Sequence, residues 1–306
     1  MIMKTIRSAF FLFSYSLLSC SLAFAGGVGT TAMQSLKIVA APRVAAMGEA
    51  FCGVSGDINS IVSNPGGLDF MESAELAVMQ NNWTEGITSQ YAAFGLPTGI
   101  GTFGLAVNVL TVKDMLKTDG DGNDDGNFDA GETAAGISYG IRLGDSFGVG
   151  INAKTLSGKI DKETASGFAG DAGILWYASP EVGIGVAVQN AGGEIKYIKD
   201  ADPLPMNMKA GVAYSPNDSL LIAVDANSPN DNTMKYNAGV EYILWFGDNI
   251  AVPLRAGYRT GLDTGGLSGL AAGAGLIYNN FDVEFAWTPM GEAFGDSVKL
   301  GLRLKL

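Results

Sequence analysis

The chain has 306 residues, a formal net charge of -12 and no histidine. Phosphate binding needs clustered Lys and Arg, so this acidic balance excludes nucleic acid as a partner. The missing histidine removes Ser-His-Asp and Cys-His nucleophiles and histidine-held metals, and an enzyme is not expected. Glycine is common, at 43 residues, and only 16% of residues are charged, against roughly 25% in an ordinary soluble domain. Beyond the N-terminus no apolar run reaches the ~20 residues of a membrane-crossing helix.

The first 25 residues read as a signal peptide. Lys4 and Arg7 supply the positive region, Ala9 to Leu18 a short apolar stretch, and Ala23-Phe24-Ala25 the small residues of a cleavage site before Gly26. Leu17-Leu18-Ser19-Cys20 also resembles a loose lipoprotein site, which would leave Cys20 lipidated. Cleavage after Ala25 leaves Cys52 as the sole cysteine, with no disulfide possible within the chain and burial the expected role.

Residues 26–73 do not alternate and are read as a separate hatch or plug. Pro42 to Phe51 predicts a short helix, and Asn64-Pro65-Gly66-Gly67-Leu68 a turn. Gly48 and the Gly66-Gly67 pair permit close backbone approach or positive φ, and Pro65 holds Asn64 out of helix. Arg43 is placed to pair with a carboxylate in the lumen.

From about Ala74 to Leu306 the period is two. Met206, Met208, Ala210, Val212 and Tyr214 alternate with Asn207, Lys209, Gly211 and Ala213. Val298, Leu300, Leu302, Leu304 and Leu306 alternate with Lys299, Gly301, Arg303 and Lys305. Alternation alone does not separate a soluble sandwich from a membrane barrel. Three features favour an all-β transmembrane antiparallel barrel. The polar face is rich in glycine, with scattered charges at Arg142, Asp171, Asp225, Glu241, Arg255, Arg259, Asp282 and Glu284, as suits a crowded interior. About fourteen strands can be counted, an even number of near-bilayer length. Connections alternate between short turns, such as Gly144-Asp145 and Pro216-Asn217, and longer loops, such as 113–133, 158–166 and 191–205. Trp83, Trp176, Tyr177, Trp245, Phe246, Tyr278 and Trp287 fall near strand ends, where interfacial belts belong.

The loop after the third strand carries the one sharp chemical motif. Asp121, Asn123, Asp125, Asn127, Asp129 and Glu132 occupy positions 1, 3, 5, 7, 9 and 12 of a calcium loop, with Gly126 at the sharp turn. Calcium takes six to eight oxygens, so Ca2+ is the expected ion and loop ordering its expected role. The flanks read as strand, where such a loop ordinarily has helices.

The run Leu36-Lys37-Ile38, Arg43, Ala46-Met47-Gly48-Glu49-Ala50-Phe51, Asp57 and Asn64-Pro65-Gly66-Gly67-Leu68 resembles the N-terminal signature of PorV/PorQ-type outer-membrane proteins, relatives of the FadL fatty-acid channels. The resemblance implies a signal peptide, an N-terminal hatch and a fourteen-stranded barrel in the outer membrane of a double-membraned bacterium, inserted by the barrel-assembly machinery among its lipids. Ser63 stands where the family usually has an aromatic, Gly66 replaces an alanine, and the chain ends in Leu306 where a terminal aromatic is usual. Two functions follow from the resemblance. One is transport of small hydrophobic compounds. The other is a type IX-like secretion accessory that binds exported proteins at the cell surface.

Overall fold

The computed structural model describes residues 27–83, 86–262, 264–292 and 295–306. The expected signal peptide, Cys20 and the cleavage site lie outside these residues. Sixteen strands follow the hatch: β1 (Glu75–Asn82), β2 (Ile87–Thr98), β3 (Gly101–Thr118), β4 (Asp124–Leu143), β5 (Phe147–Ile160), β6 (Glu163–Ser179), β7 (Val182–Gly192), β8 (Glu194–Lys196), β9 (Ala201–Pro203), β10 (Asn207–Asn217), β11 (Leu220–Pro229), β12 (Lys235–Trp245), β13 (Ile250–Arg259), β14 (Leu270–Tyr278), β15 (Phe281–Pro289) and β16 (Asp296–Lys305). Fourteen of them form one closed antiparallel barrel, and β8 and β9 pair apart from it as a two-stranded hairpin. Closure is made by β1 against β16, in register from Glu75↔Lys305 to Asn82↔Val298. Closure leaves no sheet edge to lipid, which is what a bilayer demands of a spanning sheet.

The faces sort by chemistry. Leu105, Ile137, Ile151, Val224, Val283 and Leu302 are exposed on the outside, while Asp171, Asp225, Glu241, Arg255, Asp282, Glu284 and Arg303 are buried within. That inversion of a soluble protein identifies the apolar face as the lipid face and the chain as an outer-membrane barrel. Trp176, Trp245, Phe246 and Tyr278 are among the exposed aromatics, as an interfacial belt requires. Tyr177 instead turns inward, its hydroxyl 2.7 Å from Ser55 Oγ.

Three expectations need correction. The loop read over 113–133 is mostly ladder: β3 runs to Thr118 and β4 begins at Asp124. A strand of 20 residues reaches roughly 65 Å at the usual rise, against a hydrocarbon core of about 30 Å, so this hairpin stands well clear of the membrane on the long-loop side. The loop read over 158–166 likewise narrows to Asp161–Lys162, between β5 and β6. Glycine and charge in these segments suggested loops, but a partner strand in register supplies the hydrogen bonds that such residues do not forbid. The third concerns the helix. It covers only Pro42–Ala46 (α1), because Gly48 and Glu49 both take positive φ, 62° and 66°, and turn the chain away.

Candidate functional site: the hatched lumen

Residues 27–74 run through the barrel from the long-loop end to the short-turn end. At the long-loop end, Thr31 Oγ1 donates to Asp231 Oδ2 at 2.7 Å, and the Ala32 amide to Pro203 O at 2.9 Å. Here Ala32 and Met33 pack with Leu156, Ile195 and Leu204, so the β8–β9 insertion and the start of the hatch close over the lumen together. Deeper, Val44, Met47, Ala50, Phe51 and Val54 meet Ala213, Leu221 and Ala223 of the wall. A second helical turn, α2 (Ser60–Ser63), and a 3-10 segment over Pro65–Phe70 lead out to β1. Asp69 accepts from Thr102 Oγ1 at 2.6 Å and from the Arg142 amide at 2.7 Å, which ties the exit to the short-turn rim.

Charge anchors the middle of the hatch. Arg43 donates through Nε and Nη2 to the two oxygens of Glu241, at 2.9 and 2.6 Å, and through Nη1 to Asp57 at 2.5 Å. Arg255 reaches Glu241 at 2.5 Å and Glu284 at 3.4 Å. Arg303 reaches Asp57 at 3.0 Å and also pairs with Asp282. Burial alone would push the Asp57 carboxyl up, but Arg43 and Arg303 outweigh it and hold the group below the usual carboxylate range. Asp225 accepts the backbone amides of Phe51 and Cys52 at 2.8 and 2.9 Å. Cys52 is fully buried beside it, and burial first, then Asp225, pushes its thiol up, so it stays protonated and unreactive.

Glycine explains how backbone comes this close to backbone. A Cβ on Gly148 or Gly150 would overlap the carbonyls of Gly66 and Pro65, and one on Gly185 would overlap that of Cys52. Gly239 and Gly257 stand against Met47 and Gly48 in the same way. The glycine-rich inner face is thus a bed shaped for the hatch, a more particular role than relief of general crowding.

The motif residues of the hatch come together at this contact. Met47 is fully buried in the apolar cluster, and Gly48 lies against the backbone of Tyr258. Asn64 donates to the carbonyls of Cys52 and Ile174, at 2.8 and 3.0 Å, and its Oδ1 accepts the Gly66 amide at 3.0 Å. Pro65 and Gly66 rest on the glycines of β5, while Gly67 fits against Ser55 and Ser60. The acidic loop is not gathered. Asp121 and Asn123 lie in the turn, where both donate to Asp119, while Asp125, Asn127, Asp129 and Glu132 are spread along β4. Asp129 accepts the Asp114 amide at 3.1 Å and Glu132 the Ser35 amide at 2.8 Å. Among the described residues no three acidic or cysteine side chains stand close enough to hold an ion.

Two spaces flank the hatch. Above it, on the long-loop side, is a chamber of about 250 Å³, with Val44, Ile61 and Val62 of the hatch among its lining and Asn, Lys and Asp from the wall. Outside the wall, a lipid-facing groove of about 690 Å³ crosses β2 to β5, bordered by Leu76, Phe94, Leu105, Val107, Ile137 and Phe168. Ala106, Gly136 and Lys154 line both spaces. Across this patch the inward row Ala93–Ala106–Gly136 and the outward row Ala92–Val107–Ala135 carry no side chain larger than valine, so little more than backbone divides groove from chamber. The alternation marks these residues as wall, but two small rows back to back become visible only once register is known.

No protein-family model and no curated protein sequence matches the chain. Solved structures do. The chain is similar to the Pseudomonas putida toluene transporter TodX, at 9% identity over 92% of this chain and 99% of that one, with a TM-score of 0.63. It is similar to the Ralstonia pickettii toluene transporter TbuX, at 13% identity, 87% and 98% coverage and a TM-score of 0.60. A Pseudomonas aeruginosa FadL homologue aligns at 10% identity over 86% of this chain and 98% of that one, with a TM-score of 0.54. The fold is therefore that of the FadL-type barrels.

Proposed function

We propose that the protein carries small hydrophobic compounds across the outer membrane, through the thin wall between the lipid-facing groove and the chamber. The observation that carries this reading is the pair of small-residue rows between them. The direct path down the lumen is closed by the ion pairs and the glycine bed of the hatch. An apolar solute partitions into the groove from lipid and faces the lumen across one backbone layer. The ladder between β2 and β5 is unbroken there, so passage needs a local opening of β3 from β4. The fold shared with toluene transporters supports this choice of solute.

Toluene uptake by cells expressing the protein tests it. Ala135→Trp fills the groove from outside without touching the lumen, and uptake is expected to fall about tenfold, the effect of blocking a path worth roughly 1.4 kcal/mol or more. Uptake unchanged in a correctly inserted Ala135→Trp barrel removes the wall route, and no uptake by the parent protein removes the transport reading.

The secretion-accessory reading of PorV/PorQ type rests on the hatch motif. Arg43, Met47, Asn64, Pro65 and Gly66 are all turned into the barrel and used to hold the hatch, which leaves them unavailable to an exported protein and favours transport. Insertion by the barrel-assembly machinery would read the apolar outer face of β16. Calcium at Asp121–Glu132 is a separate proposal. It requires β4 to leave β3 from Asp124 onward, and calorimetry that finds no heat dependent on Glu132 disposes of it.

A further inference from the structure

The chamber above the hatch is not built for a plain hydrocarbon. Six asparagines from six strands line it: Asn108, Asn152, Asn190, Asn207, Asn227 and Asn237. Several have buried amide atoms with no hydrogen-bond partner. Asn152 gives its amide hydrogens to Asp171 at 3.0 Å, which leaves Oδ1 unpartnered. Asn207 Nδ2 meets Asn227 Oδ1 at 3.4 Å, which leaves Asn207 Oδ1 and Asn227 Nδ2 unpartnered. Asn152 and Asn227 are each 6% exposed. Buried amides in this state lack partners that a ligand with hydroxyl or amide groups supplies.

The charge of the chamber runs against that of the chain. Lys37, Lys154, Lys209, Lys235 and Arg259 line it with only Glu49, Asp171 and Asp231 as carboxylates, in a protein whose net charge is -12. The three carboxylates are taken by Arg259, Lys154 and Lys37 respectively. Among the described residues Lys209 and Lys235 make no salt bridge, although Asp225 and Glu49 lie within their electrostatic reach. Asp225, one step nearer the hatch on β11, is turned to the amides of Phe51 and Cys52. The register sets both lysines beside one asparagine: Lys209 of β10 pairs with Asn227 of β11, and Asn227 with Lys235 of β12. Directly paired residues share a face with Cβ atoms about 5 Å apart. Lys209 and Lys235 therefore flank one unpartnered amide N–H on the inward face of the wall. The hatch adds Val44, Ile61 and Val62 to the same lining.

The geometry points to a binding site for a small amphipathic organic anion: an apolar ring or short chain resting on the hatch, a carboxylate held by Lys209, Asn227 and Lys235, and a hydroxyl or amide next to the carboxylate read by Asn207, whose side chain adjoins that of Asn227. This goes beyond the transport reading and does not rest on the wall route, since a carboxylate does not partition into a lipid-facing groove. The charge-assisted bonds to the lysines supply most of the affinity, and the asparagines separate a hydroxylated anion from its plain analogue.

Calorimetry on the full barrel in detergent tests it with three probes: mandelate, phenylacetate and toluene. Mandelate has the ring, the carboxylate and the adjacent hydroxyl; phenylacetate lacks the hydroxyl, and toluene lacks both polar groups. The expected order is mandelate, then phenylacetate, then toluene. Lys209→Met and Lys235→Met should each weaken mandelate at least about tenfold, the loss of one charge-assisted contact, while Lys209→Arg keeps it and heat-modifiable gel mobility shows each variant folded. Asn227→Ala should weaken mandelate too. Mandelate binding that ignores both lysine substitutions, or no saturable mandelate binding by the parent protein, overturns the site. Toluene uptake that persists with mandelate binding absent would leave the wall route standing and this site refuted, so the two readings fail separately.

Discussion

The two halves of the lumen are built from opposite materials. The short-turn half is lined by glycine, and backbone lies on backbone with ion pairs buried between. The long-loop half is lined by Asn and Lys and encloses a chamber. The difference shows what each residue type does inside a barrel. Glycine removes the spacer between wall and plug, so it appears where the lumen is to be shut. Long polar side chains keep the wall and plug apart and supply hydrogen bonds, so they appear where something is to be held.

The comparison breaks most readily at Arg43. Removing one partner of a buried ion pair costs about 3–5 kcal/mol where the other is left unpaired, and here Glu241 and Asp57 each lose one arginine while keeping Arg255 and Arg303, which sets the cost at the lower end of that range. Arg43→Ala should release the middle of the hatch, seen as rapid amide exchange over 42–64 in a barrel that still runs as heat-modifiable. Protection as slow as in the parent would show that the apolar cluster alone holds the plug. Next comes Gly185→Ala, which puts a methyl group into the carbonyl of Cys52. Overpacking of this kind costs roughly 1–3 kcal/mol, and the same exchange should rise, confined to residues around 50–55. An alanine tolerated without change would mean that the wall is more yielding than its glycines imply.

A smaller effect is expected from acid. The Asp57 carboxyl is held below its ordinary value by Arg43 and Arg303, against burial. A depressed folded value means stability that is fully present above the unfolded value of about 3.9 and is lost as pH falls through the folded one. Hatch protection should therefore be flat above about pH 5 and drop only below roughly pH 4, and Asp57→Asn should shrink that drop, the Glu241 contact to Arg43 supplying the remainder. The smallest expected effect lies at Glu132, where a glutamine still accepts the Ser35 amide. Glu132→Gln should leave thermal stability within about 1 kcal/mol, and any calcium-dependent heat that it abolishes would have to come from an opened β3–β4 tip.

Much of this architecture is readable in the chain because a strand with one lipid face must alternate. The run from Val298 to Leu306 states its two faces by itself, and the fourteen barrel strands follow from such runs. The limits of β3 and β4 do not, because glycine and aspartate lower strand propensity without forbidding a strand whose neighbour is in register. The hatch motif shows which residues are unusual but not what they touch, since Arg43 and Glu241 are 198 positions apart. Local chemistry alone determined the alternation, the acidic balance and the absence of histidine chemistry. Only the tertiary structure decided that the calcium-like spacing lies along a strand, that Gly185 is reserved for Cys52, and that Lys209 and Lys235 flank one asparagine. Those facts depend on closure and register, and a one-residue slip between two strands, which no single strand's sequence forbids, would undo each of them.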